Sequence, residues 1–340
     1  MNSLQRVMGV VTGQPVDRPP VFAVLGAYAA RSSGVPMRTL YEDAATHVRG
    51  QLALRAEFGF DLVIAPFDFP AIGEAFGGQT AWFDHQAPNL RRPAVESAAE
   101  ALALTWPSPD AEVGRLQVCP RAAEALATAC GSETPVFGIL PGPGGFPALI
   151  MGMEAWINTL LFDPGRAREL LARAVEWLAG WASRLVSAGV TALIMPEAAA
   201  CSDVLPRALF LDTLEAPLLS LLPRLGAPVV VHHTGGRVTH LLDRMATWPI
   251  LGVAVGARDD LAGARGLLGP GKLLVGNLDN LAFPGWSPEQ VAVEARDRLE
   301  QAFGAGPFIL SNSGADLPLG TSPETLHALV AACKGFGHPS

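Results

Sequence analysis

Side chains that can do chemistry recur at one kind of place in this sequence, directly after short apolar runs. Tyr28 follows Val21–Leu25, Asp68 follows Leu62–Pro66, and the segment Pro141-Gly142-Pro143-Gly144-Gly145 follows Val136–Leu140. Glu197 comes after Ala192–Met195, His232 and His233 close Val229–His232, and Arg258 and Asp259 come after Ile250–Val255. Asn277 and Asp279 follow Leu273–Val275, and Ser311, Asn312 and Ser313 follow Phe308–Leu310. Buried carboxylates and imidazoles are costly unless paired, so core packing alone does not ask for this series. A ligand site explains it.

The residue types point to proton handling and to hydrogen-bonded ligand binding. Asp68, Glu197 and His232 carry groups suited to acid–base work. Tyr28, Glu74, His233, Asn277, Asp279 and Asn312 are candidates for binding substrate, and the loop around Gly144 can present backbone N–H groups to a phosphate or carboxylate. Structural roles compete at each position. Asp68 can cap the next helix, Asn277 and Asp279 can satisfy loop amides, and strand alternation sends one imidazole of the His232-His233 pair inward and the other outward. His47, His85, His240, His327 and His338 read as surface residues.

The runs that position these groups are too short for helices and too continuous for half-exposed strands. Parallel strands buried on both faces read this way. Between them, apolar residues spaced by three and four predict helices over Tyr41–Phe58, Ala155–Ala188, Leu205–Leu225, Val238–Met245, Pro288–Phe303 and Pro323–Ala332. Ser287-Pro288 and Ser322-Pro323 are helix starts, and Asp163-Pro164 interrupts the long second pattern. Eight strands alternating with helices predict an α/β fold, a (β/α)8 TIM barrel, formed as a single domain over residues 1–340. A doubly wound open sheet is the competing arrangement. The longest insertion, residues 73–133, is expected to serve as a lid or a subunit contact.

Composition narrows the classes further. The 340 residues are 49% hydrophobic and 16% charged, enough for a large core, and a net charge of −8 argues against nucleic acid or an anionic membrane as partner. The clusters Arg91-Arg92 and Arg166/Arg168/Arg173 read as solvated faces. Cys119, Cys130, Cys201 and Cys333 have no CxxC spacing, which argues against a disulfide framework or a zinc ribbon. The N-terminus lacks signal-peptide features, and no run reaches the roughly 18 apolar residues that span a bilayer. A cytoplasmic location is the expectation.

Several stretches resemble the uroporphyrinogen decarboxylase superfamily. They are RVMGVVTGQPVDRPPV, FDLVIAPFDFPAIGEAFGG, ILPGPGGFPALIMG, ALIMPEAAACSDVLPRALF, VVVHHTGGRVTHLLDRM, LLVGNLDN and ILSNSGADLPLGTSPETLHALV. The resemblance keeps the family order over nearly the whole chain and implies the same barrel. On the decarboxylase branch, arginines near the N-terminus grip the porphyrinogen carboxylates. Here VFAVLGAYAARSSG has glycine and alanine at those places, with Arg31 a few positions late. Asp68 matches the family aspartate, and the late histidine of the decarboxylases aligns with Ala315.

On the methylcobamide:thiol methyltransferase branch, a His-x-Cys motif and a distant cysteine hold zinc, which presents a thiolate to a corrinoid-bound methyl group. His232 fits the first ligand, but Thr234 and Ala315 stand at the two cysteine positions. The resemblance therefore implies a corrinoid-dependent methyltransferase-like enzyme working without zinc-thiolate activation, with a small-molecule substrate and a corrinoid protein as partners. Glu197 or His232 would serve as general acid or base, and Asp68 would orient the substrate. A metal could return only through His232 with a mixed set drawn from Glu197, His233, Asp279 and Cys201, which needs both imidazoles at one centre. A decarboxylase or lyase of a small carboxylic acid, and a non-catalytic corrinoid or tetrapyrrole carrier, are the alternatives.

Overall fold

The computed structural model describes residues 1–336. Short apolar segments form β1 (Val63–Ile64), β4 (Val136–Ile139), β5 (Ala192–Pro196) and β6 (Val229–His232), and two polar segments, β2 (Gln79–Ala81) and β3 (Asn89–Arg92), form a hairpin between β1 and β4. β7 (Gly252–Ala254), β8 (Leu273–Leu278) and β9 (Phe308–Asn312) complete the set among the described residues. The hairpin is antiparallel and separate. The other seven strands form one sheet in the order β1-β4-β5-β6-β7-β8-β9, with every pairing parallel.

The first expected strand, Val21–Leu25, takes the eighth place without forming a ladder. Val21 makes a single parallel bridge to Leu310, and its carbonyl accepts from Asp61 N at 3.0 Å on the β1 side. Two reasons are local. Pro19 and Pro20 have no N–H to donate, and Val24 N donates instead to Asn312 Oδ1 at 2.8 Å. The segment thus joins β9 to β1 and closes the ring.

Alternation along the strands explains why their sequences look continuously apolar. Phe22, Val24, Ile64, Phe137, Ile139, Val230 and Ile309 pack inside the barrel, while Val63, Leu193, Val231, Val253, Leu274 and Leu310 face the helices. The helix Ser3–Val11 plugs the N-terminal end by adding Val7 and Val10 to the interior cluster. Beneath it Asp61 receives Arg6 and Arg18 in a buried ion cluster.

The helix punctuation follows the cap residues. Asp163 accepts from Arg166 N and starts a 24-residue helix, Pro164–Ser187, so the long pattern breaks at Asp-Pro. Ser287 and Ser322 cap Pro288–Ala302 and Pro323–Gly335. Asp43 caps Ala44–Phe58 and divides it from Met37–Glu42, a break that the apolar spacing did not reveal. His47, read as a surface residue, is wholly buried on that helix and contacts the Ile64 carbonyl at 3.1 Å. His240 is likewise not a free surface group, since both its ring nitrogens are buried without a partner among the described residues. His85 and His327 are exposed, and His338 lies outside the described residues. No helix among the described residues is long and apolar enough to cross a membrane.

Candidate active site at the barrel mouth

The C-terminal ends of the strands surround a cavity of about 500 Å³. Phe67, Phe69, Pro141, Pro196, Thr234 and Ala315 form its walls, and Leu90 of the β2–β3 hairpin reaches in from the insertion. The mouth is mostly apolar, with Asn89 and Thr234 as its polar side chains. This is a common composition for a small-molecule site, in which a few polar groups set orientation.

His232 is the ionisable group that opens toward this space, lining the barrel interior directly below the mouth beside Ala315. Its Nδ1 accepts from Thr234 N at 3.0 Å, so the proton sits on Nε2, facing the Gly314 backbone. Burial, with the adjacent His233 ring, pushes its pKa down to about 3. His232 is therefore a neutral hydrogen-bonding group near pH 7. His233 points the other way into the wall, with Nδ1 2.9 Å from the Ala254 carbonyl. The two rings stack at 4.7 Å instead of converging on one point.

Glu197 sits on the same rim but is turned into it. Its carboxylate accepts from Gly144 N at 2.8 Å and Ala199 N at 3.1 Å, and only 1% of the residue is exposed. A Cβ on Gly144 would fall 2.6 Å from Glu197 Oε1, so the 141–145 loop packs directly against the carboxyl. That loop presents Gly144 N to Glu197, not to a ligand, and the Gly144 carbonyl is taken by Trp156 Nε1 at 2.6 Å. Burial pushes the Glu197 pKa up to about 7 against the two N–H donors.

The shift has a consequence for stability. The native state holds this proton more tightly than the unfolded chain, whose glutamate titrates near ~4.3. The Glu197 contribution is therefore fully present below that value and is lost as pH rises through about 7. Glu197→Gln should flatten the fall in Tm between roughly pH 5 and 8, a window worth up to about 3 kcal/mol from this group. An unchanged slope in thermal denaturation across that range would show that Glu197 does not titrate there.

Asp68 caps the helix Phe69–Ala75 through Ala71 N at 3.2 Å and pairs with Arg115 Nη1. Burial pushes it up to about 6, with the guanidinium opposing the rise. Glu74 joins the same cluster, 2.9 Å from Arg115 Nε, and Thr80 Oγ1 receives Nη2 at 3.0 Å. The Arg115 guanidinium lies 4.6 Å from the Trp82 ring centroid. All its nitrogens are committed. Arg115 and Trp82 come from the insertion and carry no motif, and sequence reasoning missed them. Asp316 was also missed, although it adjoins Ala315 in a quoted stretch. It accepts from Gly26 N at 2.6 Å and Ala27 N at 3.0 Å, and burial pushes it up to about 6.

The remaining expected ligand groups make hydrogen bonds within the protein. The Tyr28 hydroxyl donates to the Thr321 carbonyl at 3.0 Å, and its ring packs on Phe58 behind the sheet. Asn277 Nδ2 ties β8 to the carbonyls of Gly256 and Asp259 at 2.8 and 2.9 Å. Asp279 is exposed and accepts from Leu281 N in its own loop. Asn312 does line the barrel interior, but its amide is spent on Val24 N and the carbonyls of Ser313 and Ala315. Asp68, Glu197, His232 and Asn277 thus share one rim but not one chamber.

Zinc does not fit these residues. Ala315 offers no donor, a Thr234 hydroxyl is a poor ligand, and the His232 Nδ1 lone pair is already used. The mixed set fails too, because His233 faces away and Asp279 is exposed on its own loop. Among the described residues no group of three or more His, Cys, Asp or Glu side chains is placed to hold a metal.

A parallel barrel with its cavity at the strand C-termini and an arginine from the 73–133 insertion paired with Asp68 has the architecture of an α/β-barrel enzyme. The uroporphyrinogen decarboxylase (URO-D) family pattern matches residues 2–336, and the chain belongs to that family. It is 25% identical over 340 residues to the methylcobamide:CoM methyltransferase MtbA of Methanosarcina mazei, covering 98% of this chain and 97% of that one. It is 27% identical over 359 residues to a uroporphyrinogen decarboxylase of Anaeromyxobacter dehalogenans, covering 98% and 99%. A solved methyltransferase from Methanosarcina mazei superposes with a TM-score of 0.89 at 21% identity over 99% of each chain. A B12-independent methionine synthase from Shewanella superposes at 0.61 with 15% identity over 86% of each chain. Both superpositions speak to the fold, and they support the barrel.

Proposed function

We propose that the chain is a corrinoid-dependent methyltransferase-like enzyme that moves a methyl group between a small substrate and a cobamide or corrinoid protein. The observation that carries this reading is the chemistry of the mouth. It is mostly apolar, and the nearby Arg115 is fully occupied by Asp68, Glu74 and Thr80. A porphyrinogen with many carboxylates lacks guanidinium partners there. A corrinoid would supply the cobalt centre that takes or gives the methyl group. The protein's own part is to enclose the substrate in an apolar chamber and to set the neutral His232 imidazole, whose Nε2–H is directed to the Gly314 backbone, at its base. Asp68 and Glu197 act through the walls, holding the lid and the 141–145 loop in place. The insertion serves as that lid, since its Leu90 lines the mouth and its Arg115 pairs with Asp68 beside the mouth residues Phe67 and Phe69.

The test is spectroscopic. Purified protein is mixed with methylcobalamin or cob(I)alamin and a panel of ethers, thioethers, amines, thiols and folates. Conversion of the corrinoid spectrum with at least one substrate is expected, and no change across the panel would count against the reading.

A second reading has its own support. Asp68 is a buried carboxyl with a raised pKa beside an arginine, an arrangement suited to holding a proton during loss of CO2 from a small acid. Release of CO2 from a screened acid, abolished by Asp68→Asn, would replace methyl transfer with decarboxylation.

A further inference from the structure

Barrel interiors of this fold are ordinarily filled by layered side chains. In this chain a well of about 40 Å³ descends from the mouth into the barrel, bounded by Val24, Ile64, Phe137, Ile139, Ala254 and Ile309. It shares Phe67, Pro196 and Ala315 with the mouth cavity, so the two spaces adjoin. The volume holds roughly three water-sized groups, and walls of this kind leave water without partners. None of the residues bounding the well is a carboxylate, lysine or arginine.

The polar groups at its upper end are unequal. The Asn312 amide is engaged at both ends, and His232 Nδ1 is engaged by the Thr234 N–H. Ser311 also lines the well, and among the described residues its hydroxyl takes part in no hydrogen bond. A free hydroxyl set above an apolar shaft is an arrangement that core packing does not require.

We infer that this well is a binding site for the apolar end of an uncharged ligand, an aliphatic tail of two to four carbons, with an ether or thioether heteroatom accepting from Ser311. The inference rests on reading the mouth as the reaction site, but not on the reaction being methyl transfer. It sets the substrate class. A carboxylate drawn to the same depth would lose its hydration with no cation to replace it. A neutral dialkyl ether or sulfide loses almost nothing polar and gains apolar contact with every methylene.

Calorimetric titration of the corrinoid-free protein separates this from the methyl-transfer reading, because it measures binding alone. The probes are methyl ethyl, methyl propyl and methyl butyl ethers, the corresponding sulfides, and butanoate as the charged comparison. Affinity should rise about fourfold per methylene through the series, and butanoate should bind at least about tenfold more weakly than methyl propyl ether. Ser311→Ala should weaken the ethers about fivefold. Ala254→Leu, which fills the shaft, should abolish the dependence on chain length. Should that variant fail to fold, Ile139→Ala deepens the well and should move the optimum to a longer chain. Detectable binding with these trends in the corrinoid-free protein upholds the site even if no corrinoid reaction is found. Absence of binding, affinity indifferent to chain length, or butanoate binding as tightly as the ether would overturn it.

Discussion

Asp61→Ala should remove about 3–5 kcal/mol of stability while leaving ligand affinity at the mouth of the folded fraction unchanged. Asp61 lies at the opposite end of the barrel and its side chain is 1% exposed. Its Oδ1 receives Arg6 Nη1 at 2.6 Å, Arg18 Nη2 at 3.0 Å and Ser3 Oγ at 3.1 Å. Its Oδ2 receives Arg18 Nη1 at 2.7 Å and Val21 N at 2.8 Å. One carboxylate therefore joins the plugging helix, the eighth barrel segment and the start of β1. Deleting it removes the carboxylate from two guanidiniums that are only 7% and 11% exposed, and among the described residues only Arg6 keeps a second carboxylate partner, Asp17, while Arg18 keeps the Pro19 carbonyl. Urea unfolding reads the loss directly. A change below about 1 kcal/mol would mean that water replaces the carboxylate without difficulty, as it does for surface pairs.

That cluster also shows where the fold was legible in sequence and where it was not. The buried strands announced themselves because both their faces are apolar, and β6 runs over Val229–His232, the residues of its apolar run. The eighth segment was legible as an apolar run but not as a bridge. Its weakness comes from Pro19-Pro20 and from Val24 choosing a side-chain acceptor, and neither shows in hydrophobic pattern. Helix starts carrying Ser-Pro or Asp-Pro were visible because caps are local chemistry. The break at Asp43 and the burial of His47 were not, because the helix Ala44–Phe58 has no strong apolar stripe against which a polar residue would look misplaced.

The site was legible as a rim but not as a chamber. Position after a strand placed Asp68, Glu197, His232, Asn277 and Asn312 at the same end of the barrel. It could not say which way each side chain turns, because that depends on backbone donors supplied from elsewhere in the chain. Glu197 turns toward Gly144 N, 53 residues away, and Arg115 reaches Asp68 from 47 residues on. Local sequence pattern holds no trace of such pairings. His232 was the exception. Alternation in β6 sends it inward and His233 into the wall, as strand geometry requires.

Thr234→Cys combined with Ala315→Cys should convert a chain with no fitting zinc site into one that binds zinc stoichiometrically. His232 and Ala315 line the same shaft, and Thr234 and Ala315 line the same mouth, so the three positions meet although the last is far away in sequence. Two thiolates and an imidazole make a common catalytic zinc set with one position left for a ligand. Binding requires His232 Nδ1 to give up the Thr234 N–H, a loss of about 1 kcal/mol, against roughly 10 kcal/mol or more for a thiolate-rich zinc site. The backbone also favours the change. Thr234 has φ of +63°, a left-handed conformation that a β-branched residue tolerates poorly and an unbranched cysteine tolerates better. Zinc analysis after dialysis, and the thiolate charge-transfer band of the cobalt form, read the outcome. Each single variant should bind far more weakly than the pair. A double variant that folds yet takes up no more zinc than the parent chain would mean that the three positions do not share a centre. Retention by both variants and by the parent would point instead to ligands elsewhere. Uptake by the pair alone would place the difference between this mouth and a zinc-thiolate site in two side chains, with the barrel that holds them unchanged.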